Sequence, residues 1–596
     1  MKKGNLEKWT DVESCKNLLF FSQLVNELLF DYSIPSNRIS TLNSHYLCLD
    51  AISTINGIEE SGVHEGNLKP IMEEFYSELS KDPVFKDGDS PLDYFVKYQK
   101  DKYVTCAKVS DIGFRELKNS ALAINGLFFS ENRYYDQLKK KIIVVIKNNN
   151  AEEQQILFRM TKALLTELMN YGYSLRYLYM VMNSLFWNTT VSIDTPDIIE
   201  KFFDFFDFSL KEYTIVFKGK KKKIKQFIDY LDGLSCVDEL PEELKSKAGV
   251  SFSYRRSDKT FLIIKRKGLD PFSTAEAVTE LIETNMAVYR LYDHYYRYHI
   301  RSANCKIFDD NRVYKIGQRR QGVEHTKTPS SRQISESMNV VGNAMEKIIK
   351  GGNYHDFASI ISAIKYHAHS LDSQSEENQL LDLWSIFESV LDISNKYTAD
   401  RIQQVCVSLV PILKQKYIYS LFKQLSYDLH HYNDDIYQEI IGNAETEAEI
   451  VKKVCCFTLL ESNTEKRERV LNSCIDFPLL AERINYYHDV LSSPAKIYLF
   501  VEKHADRVRW QIMRIYRNRN MIIHNGNRMP YLSLLIENLH AYVDDFISYT
   551  IHSLAEGKDV NSMCQELFVK ECKWNNSFMR SKDSLDESQI DYVLSM

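Results

Sequence analysis

Apolar residues recur every three or four positions along much of this chain, a spacing that commits it to helices packed on one another. In residues 153–187, EEQQILFRMTKALLTELMNYGYSLRYLYMVMNSLF, the stripe runs through Ile156, Met160, Leu164, Leu165 and Leu168. Asn170-Tyr-Gly172 interrupts it, because glycine supplies the left-handed residue that ends a helix, so a helical hairpin is expected. Residues 1–204 read as helices joined by polar loops. Further on, helices are expected over 338–350, 354–370, 376–393, 401–427, 447–460, 478–491, 493–523 and 530–553, enough for a bundle. Only 20 Gly and 12 Pro in 596 residues interrupt these runs.

The pattern changes between 205 and 335. Tyr213-Thr-Ile-Val-Phe217 and Phe261-Leu-Ile-Ile264 are short β-branched or aromatic runs flanked by charged turns, which predicts a small α+β module. Between them lies Lys218-Gly-Lys-Lys-Lys-Lys-Ile-Lys225, either a phosphate grip through Lys220, Lys221, Lys222 and Lys223 or a solvated hairpin end. A long helix over 273–301 carries His294 and His299, which are five apart and off the one-turn spacing that lets two ligands share a helical face. No metal is expected there. The polar stretch 323–336, with Pro329, reads as a linker into a helical domain over 336–572, followed by a polar, loosely held tail over 573–596. The expected class is mainly α, with one small α+β module in the middle.

A chain of 596 residues has room for roughly two to four packed units. Its 44% hydrophobic and 26% charged residues fit a soluble globular protein. The net charge of −6 excludes a broad basic surface that coats nucleic acid without selectivity, while leaving room for a local basic site. Eleven cysteines lie scattered without any C-x-x-C, so reduced thiols are expected, with neither a zinc site nor a disulfide framework. The start MKKGNLEKWTDVESC lacks the apolar run of a signal peptide, and no segment approaches the roughly 18 uninterrupted apolar residues of a membrane span. A cytoplasmic protein is expected. Neither a G-x-x-x-x-G-K-[ST] nor a G-x-G-x-x-G is present, and G-x-S-x-G and H-E-x-x-H are absent too, so the NTPase, dinucleotide, ordinary hydrolase and zinc-protease classes lack support.

Chemistry concentrates in Ile512-Met-Arg-Ile-Tyr-Arg-Asn-Arg-Asn-Met-Ile-Ile-His-Asn-Gly526, with three arginines, three asparagines and a histidine at the end of an expected helix. Cleaving RNA through its own 2′-hydroxyl takes a base, an acid for the leaving 5′-oxygen, and a cation for the phosphorane. Histidine titrates near neutrality and arginine offers a donor fork matched to phosphate, so the pair suffices without metal. On one ideal helix, however, Arg519 and His524 stand about 140° apart. Either the helix breaks before His524, encouraged by Asn525-Gly526, or the groups converge with those of a second subunit. Asn520 is one turn before His524 and could orient its ring. Arg517, seven residues before His524, shares its face, so both Arg517 and Arg519 remain candidates for the phosphate role. Arg514, in the same run, joins Lys220–Lys223 as a candidate RNA contact.

The bare R-x-x-x-x-H spacing also occurs at Arg320 to His325 and Arg483 to His488. What sets Arg519 to His524 apart is Asn directly after Arg, Met-Ile-Ile before His, and the Asn-Gly stop. Y-R-N-R-N-M-I-I-H-N-G resembles the R-N-x-x-x-H signature of HEPN domains, particularly the ApeA-like group of bacterial defence proteins. Leu381-Asp-Leu-Trp-Ser-Ile-Phe-Glu-Ser-Val390 resembles the L-W-x-x-x-E helix that opens that domain. The resemblance covers residues 340–555, with a vaguer likeness around 154–187 and 261–285; the long insertion between the two elements and the extra Arg517 depart from it. It implies a helical bundle that dimerises to face two motifs, and a metal-independent endoribonuclease leaving cyclic phosphate and 5′-hydroxyl ends. By that resemblance His524 is the acid or base, Arg519 the transition-state cation, Asn520 an orienting group and Glu388 an auxiliary that holds an Arg or His. No cofactor is implied; the expected partner is RNA, tRNA or mRNA.

The rival reading is a non-catalytic interaction or RNA-binding platform, since a fold does not fix a function. A further expectation is that the first two thirds sense a phage-derived trigger and restrain the remainder, so that deleting residues 1–335 would increase toxicity.

Overall fold

The helical spacing read from the sequence is realised almost run by run. The structure is a computed structural model that describes residues 3–29, 40–61, 65–85, 111–228, 234–249, 252, 258–295, 305–310, 312–315, 331–351, 354–373, 375–391, 401–415, 417–525, 529, 531–579 and 584–595. The N-terminal helices are α1 (Lys16–Leu28), α2 (Ser44–Ser61), α3 (Leu68–Leu79), α4 (Asp111–Ile124), α5 (Arg133–Asn148), α6 (Gln154–Tyr171), α7 (Leu175–Met182) and α8 (Ile198–Phe203). The middle module comprises β1 (Lys211–Lys220), α9 (Lys221–Ile228), β2 (Leu234–Val237), α10 (Glu242–Ala248), β3 (Lys259–Gly268), α11 (Pro271–Arg290), β4 (Cys305–Phe308) and β5 (Val313–Lys315). There follow α12 (Ser331–Lys350), α13 (Tyr354–Asp372), α14 (Glu376–Val390), α15 (Arg401–Lys414), α16 (Tyr417–Tyr432), α17 (Asp434–Ile441), α18 (Glu447–Leu459) and α19 (Thr464–Ser473). The chain closes with α20 (Pro478–Leu491), α21 (Pro494–Asn525), α22 (Leu532–Ala555), α23 (Val560–Phe578) and α24 (Glu587–Leu594).

The expected hairpin is α6 and α7. Gly172, at φ +123°, ends the first helix, and the Ser174 hydroxyl accepts the Tyr177 N–H to begin the second. The sheet is antiparallel in the order β2-β3-β1-β4-β5. Period-two alternation explains its placement. Ile215, Phe217, Leu262, Ile264 and Ile307 join the main core, while Val216, Phe261, Ile263 and Phe308 on the other face close a small core with Leu240 and Ala248. The lysine run is not a hairpin end: β1 pairs with β3 across the intervening α9, β2 and α10, so Lys220 ends β1 while Lys221, Lys222 and Lys223 form the first turn of α9.

Two boundaries differ from expectation. The polar stretch read as a linker becomes helical at Ser331, because α12 can bury Ala344 and Ile348; residues 323–330 lie outside the described residues. The tail is not loose. Trp574 stacks on Phe578 with ring centres 4.5 Å apart, Ile590 and Val593 are buried, and Asp591 accepts an ion pair from Lys452 of α18 at 2.7 Å. Apolar residues spaced three apart in an otherwise polar segment carry that docking.

One hydrophobic core runs from Leu18 of α1 to Val593 of α24. Burial of apolar area in a shared core stabilises both regions together. Across the contact of α1 with α20, Arg483 pairs with Glu27 through two bonds of 2.6 Å, with both side chains almost wholly buried. Among the described residues, no helix is long and apolar enough to cross a membrane.

Candidate active site

The site candidates ride on α21, whose 32 residues span about 48 Å. Ile497, Val501, Ala505, Val508, Ile512 and Ile515 are buried at steps of four or three residues, which fixes one face of this helix inward. The arginines beyond that stripe then fall to different neighbours.

Arg514 is 2% exposed and ion-paired with Glu74 of α3, and it also donates to Gln511 at 2.8 Å. Burial pushes the Glu74 carboxyl up, while the guanidinium opposes that shift. Arg514 therefore cannot meet an RNA surface in this structure: the expectation that it contacts RNA is corrected by its burial. Arg517 donates to Asp50 of α2 at 2.7 Å, with both side chains 11% exposed. Tyr531 lies near this pair, and burial pushes its phenol up to about 12.

Arg519 points elsewhere. Its guanidinium contacts the Glu388 carboxylate of α14 at 3.4 Å and donates to the Asn520 amide oxygen at 3.1 Å. The same Glu388 oxygen accepts the Trp384 indole N–H at 3.0 Å, and Trp384 is buried with its ring 5.4 Å from that of Tyr516. Arg519 and Glu388 keep 25% and 29% of their side-chain surface exposed, enough for a ligand to reach them. The two sequence segments that carry the family resemblance thus touch through these side chains.

The helix does not break before His524, since α21 continues to Asn525; Gly526 lies outside the described residues. Arg519 and His524 stay about 140° apart and about 7.5 Å apart along the axis. His524 is exposed and, among the described residues, has no hydrogen-bonded partner. The structure brings Arg519, Asn520 and Glu388 together, keeps Arg517 with Asp50, and leaves His524 facing solvent one turn beyond Asn520.

The remaining candidates separate from this cluster. Lys221 pairs with Asp238 at 2.5 Å, and Lys220 and Lys222 are exposed. At the decoy spacing Arg483 is consumed by Glu27, and the His488 ring lies 3.0 Å from the Thr458 carbonyl, both structural uses. Arg320, His325 and His299 lie outside the described residues, and His294 is exposed. Among the described residues, no group of three or more His, Cys, Asp or Glu side chains is placed to hold a metal ion.

Sequence reasoning missed Asp50 and Glu74, acidic residues on helices more than 400 positions before their arginines, for which no local pattern exists. The indole-to-carboxylate bond was within reach, because Trp384 and Glu388 stand one turn apart. No family model, curated relative or solved structure matches the chain.

Proposed function

We propose that this chain is a metal-independent endoribonuclease of the HEPN class, acting as a toxic effector of anti-phage defence. The observation that carries the reading is the Glu388–Arg519–Asn520 cluster, partly open to solvent and formed by the two segments that resemble the family's paired elements. In this reading Arg519 stabilises the charge of the phosphorane, and Glu388 and Trp384 hold the guanidinium where that charge develops. His524 moves the proton of the 2′-hydroxyl or of the leaving 5′-oxygen, and Asn520 fixes the substrate or ring beside it.

Because Arg519 and His524 stand about 140° apart on one helix, a complete site needs a second copy to face the first. The proposed assembly is therefore a homodimer through α21. The N-terminal helices, bonded to α21 through Asp50 and Glu74, are the proposed sensor of a phage-derived trigger.

The test is cleavage of total RNA in chelator by the wild type beside His524→Ala and Arg519→Ala. Loss of cleavage in both variants, with cyclic-phosphate ends in the wild-type products, is the expected result. An inert wild type, even with phage lysate added, would put the non-catalytic RNA-binding platform ahead.

A further inference from the structure

A cavity of about 370 Å³ opens on the N-terminal helices, between the turn Pro83–Phe85, the π-helical turn Asn125–Phe129 that follows α4, and the first half of α5. Its volume falls within the roughly 300–1,000 Å³ of small-molecule sites. One wall is apolar, formed by Val84, Phe85, Leu127 and Phe128. That wall is held from behind. Phe85 meets Phe128 edge-on with ring centres 5.4 Å apart and stacks on the buried Tyr134 at 5.9 Å, while Lys141 of α5 donates to the Pro83 carbonyl at 3.0 Å. Asp82, just before the turn, accepts the Ser44 hydroxyl at 2.6 Å and the Val84 N–H at 3.0 Å.

Another wall is the face of α5 that carries Arg133, Asp136, Gln137 and Lys140. Those positions, i, i+3, i+4 and i+7, form the stripe that a helix ordinarily fills with apolar residues where another element covers it. Here all four are polar and exposed. Arg133 is engaged by the neighbouring turn: it donates to the Gly126 and Leu127 carbonyls at 3.4 and 3.3 Å and lies 3.6 Å from the Glu131 carboxylate. Asp136, Gln137 and Lys140 have no hydrogen-bonded or ion-paired partner among the described residues. The backbone joining the two walls is unusual too. The Ser130 N–H closes the π-turn on the Asn125 carbonyl, and Glu131 and Asn132 take left-handed backbone, at φ 56° and 61°. Successive left-handed residues other than glycine persist only where their surroundings fix them, and π-turns often mark functional sites.

We infer that this cavity binds a free nucleoside monophosphate. An apolar wall bearing aromatic rings suits a base, which is flat and offers a π-face for stacking. Asp136 presents acceptors to the ribose hydroxyls, and Gln137 beside it both donates and accepts. Lys140, one turn beyond Asp136 on the same face, brings the positive charge that a phosphate needs. A wholly apolar ligand would strip water from these polar side chains without replacing its hydrogen bonds, and a bare phosphate would leave the apolar wall uncovered. A molecule with a base at one end and a phosphate at the other uses both walls. The site requires neither the Arg519 cluster nor cleavage of any substrate.

The test is isothermal titration of the full chain with AMP, GMP, CMP and UMP, each in chelator. At least one should bind with Kd below about 100 µM, and its nucleoside and ribose 5-phosphate should each bind at least about tenfold more weakly. Lys140→Gln should bring the nucleotide down to about the affinity of its nucleoside, the signature of a lost phosphate contact. Asp136→Asn should weaken the ribonucleotide but not its 2′-deoxy counterpart. Failure of all four nucleotides to bind at about 1 mM overturns the proposal. So does an unchanged Kd in both variants, which puts the binding elsewhere, or ribose 5-phosphate binding as tightly as the nucleotide, which leaves the apolar wall without a role. A 5′-phosphorylated 2′-O-methyl oligonucleotide that outcompetes the nucleotide also overturns it, in favour of a strand end. RNA cleavage by the wild type is read separately, so the two proposals fail independently.

Discussion

The Arg519 guanidinium meets the Glu388 carboxylate at 3.4 Å across 131 positions of sequence, and Glu388 is itself held at 3.0 Å by the Trp384 indole. A contact of that length steers a guanidinium without locking it, so the arginine can still turn toward a phosphate. Glu388→Ala should lower RNA cleavage about tenfold, the cost of about 1.4 kcal/mol in transition-state positioning. Glu388→Gln should recover most of it by keeping an acceptor. Single-turnover cleavage rates would check this, with equal rates in all three proteins removing Glu388 from the site.

Arg517 and Arg519 should respond in opposite ways. Arg517→Ala leaves Asp50 largely buried without its partner and should cost on the order of 1–3 kcal/mol of stability, visible as a lower Tm. Arg519→Ala, at a more exposed position, should leave Tm within a few degrees and remove cleavage. Thermal unfolding alongside cleavage separates the two. A stable but inactive Arg517→Ala would move the phosphate role to that residue.

The sequence suggested that residues 1–335 could be deleted to release an active remainder. The shared core and the Arg483–Glu27 pair argue for a different outcome. A fragment starting at residue 336 leaves Arg483 and Arg514 without their carboxylates, each loss worth roughly 3–5 kcal/mol for a buried pair. The fragment should aggregate or unfold without a cooperative transition, read by size exclusion and thermal melting. A soluble fragment with a sharp melt would show that the C-terminal helices fold alone.

His504 sets an acid limit. Its ring stacks on Tyr417 with centres 3.5 Å apart, and burial, together with Arg507, holds it down to about 3 from its ordinary 6.5. Between those values the unfolded chain binds a proton that the folded chain refuses. Its contribution is therefore complete above about pH 6.5 and is lost as pH falls, at on the order of 1 kcal/mol per unit. Comparing the wild type with His504→Gln isolates this from buried carboxylates such as Asp82 and Asp428, which burial shifts up. The difference in Tm between the two proteins should shrink or change sign from pH 7 to pH 5, and a constant difference would mean that His504 titrates alike in the folded and unfolded chains.

Local periodicity made most helices legible, along with the Gly172 break and the strand runs Tyr213–Phe217 and Phe261–Ile264, whose pairing only the structure shows. The range 401–427 read as one helix but forms two, α15 and α16, and Pro411 lies within the first. Arg519, Asn520 and Glu388 were legible as candidates because the density of donors near a helix end is a local property. The separate fates of Arg514, Arg517 and Arg519 were not. They depend on which distant helix each faces, and a helix spreads residues two or three apart over most of its circumference. The tail was misread because few apolar residues, among them Ile590 and Val593, sufficed to dock it.

The ion pairs of Arg514 and Arg517 also fix the rotational phase of α21 just before the end that carries Arg519 and His524. One extra residue between Asn518 and Arg519 would leave both pairs intact but turn everything beyond by about 100°. Arg519 would then miss Glu388, and His524 would face a different quadrant. Seven extra residues, close to two full turns, would bring both back within about 20° while carrying them some 10 Å along the axis. The proposed chemistry is indexed, as on a toothed wheel, by two arginines whose own partners are carboxylates of the N-terminal helices.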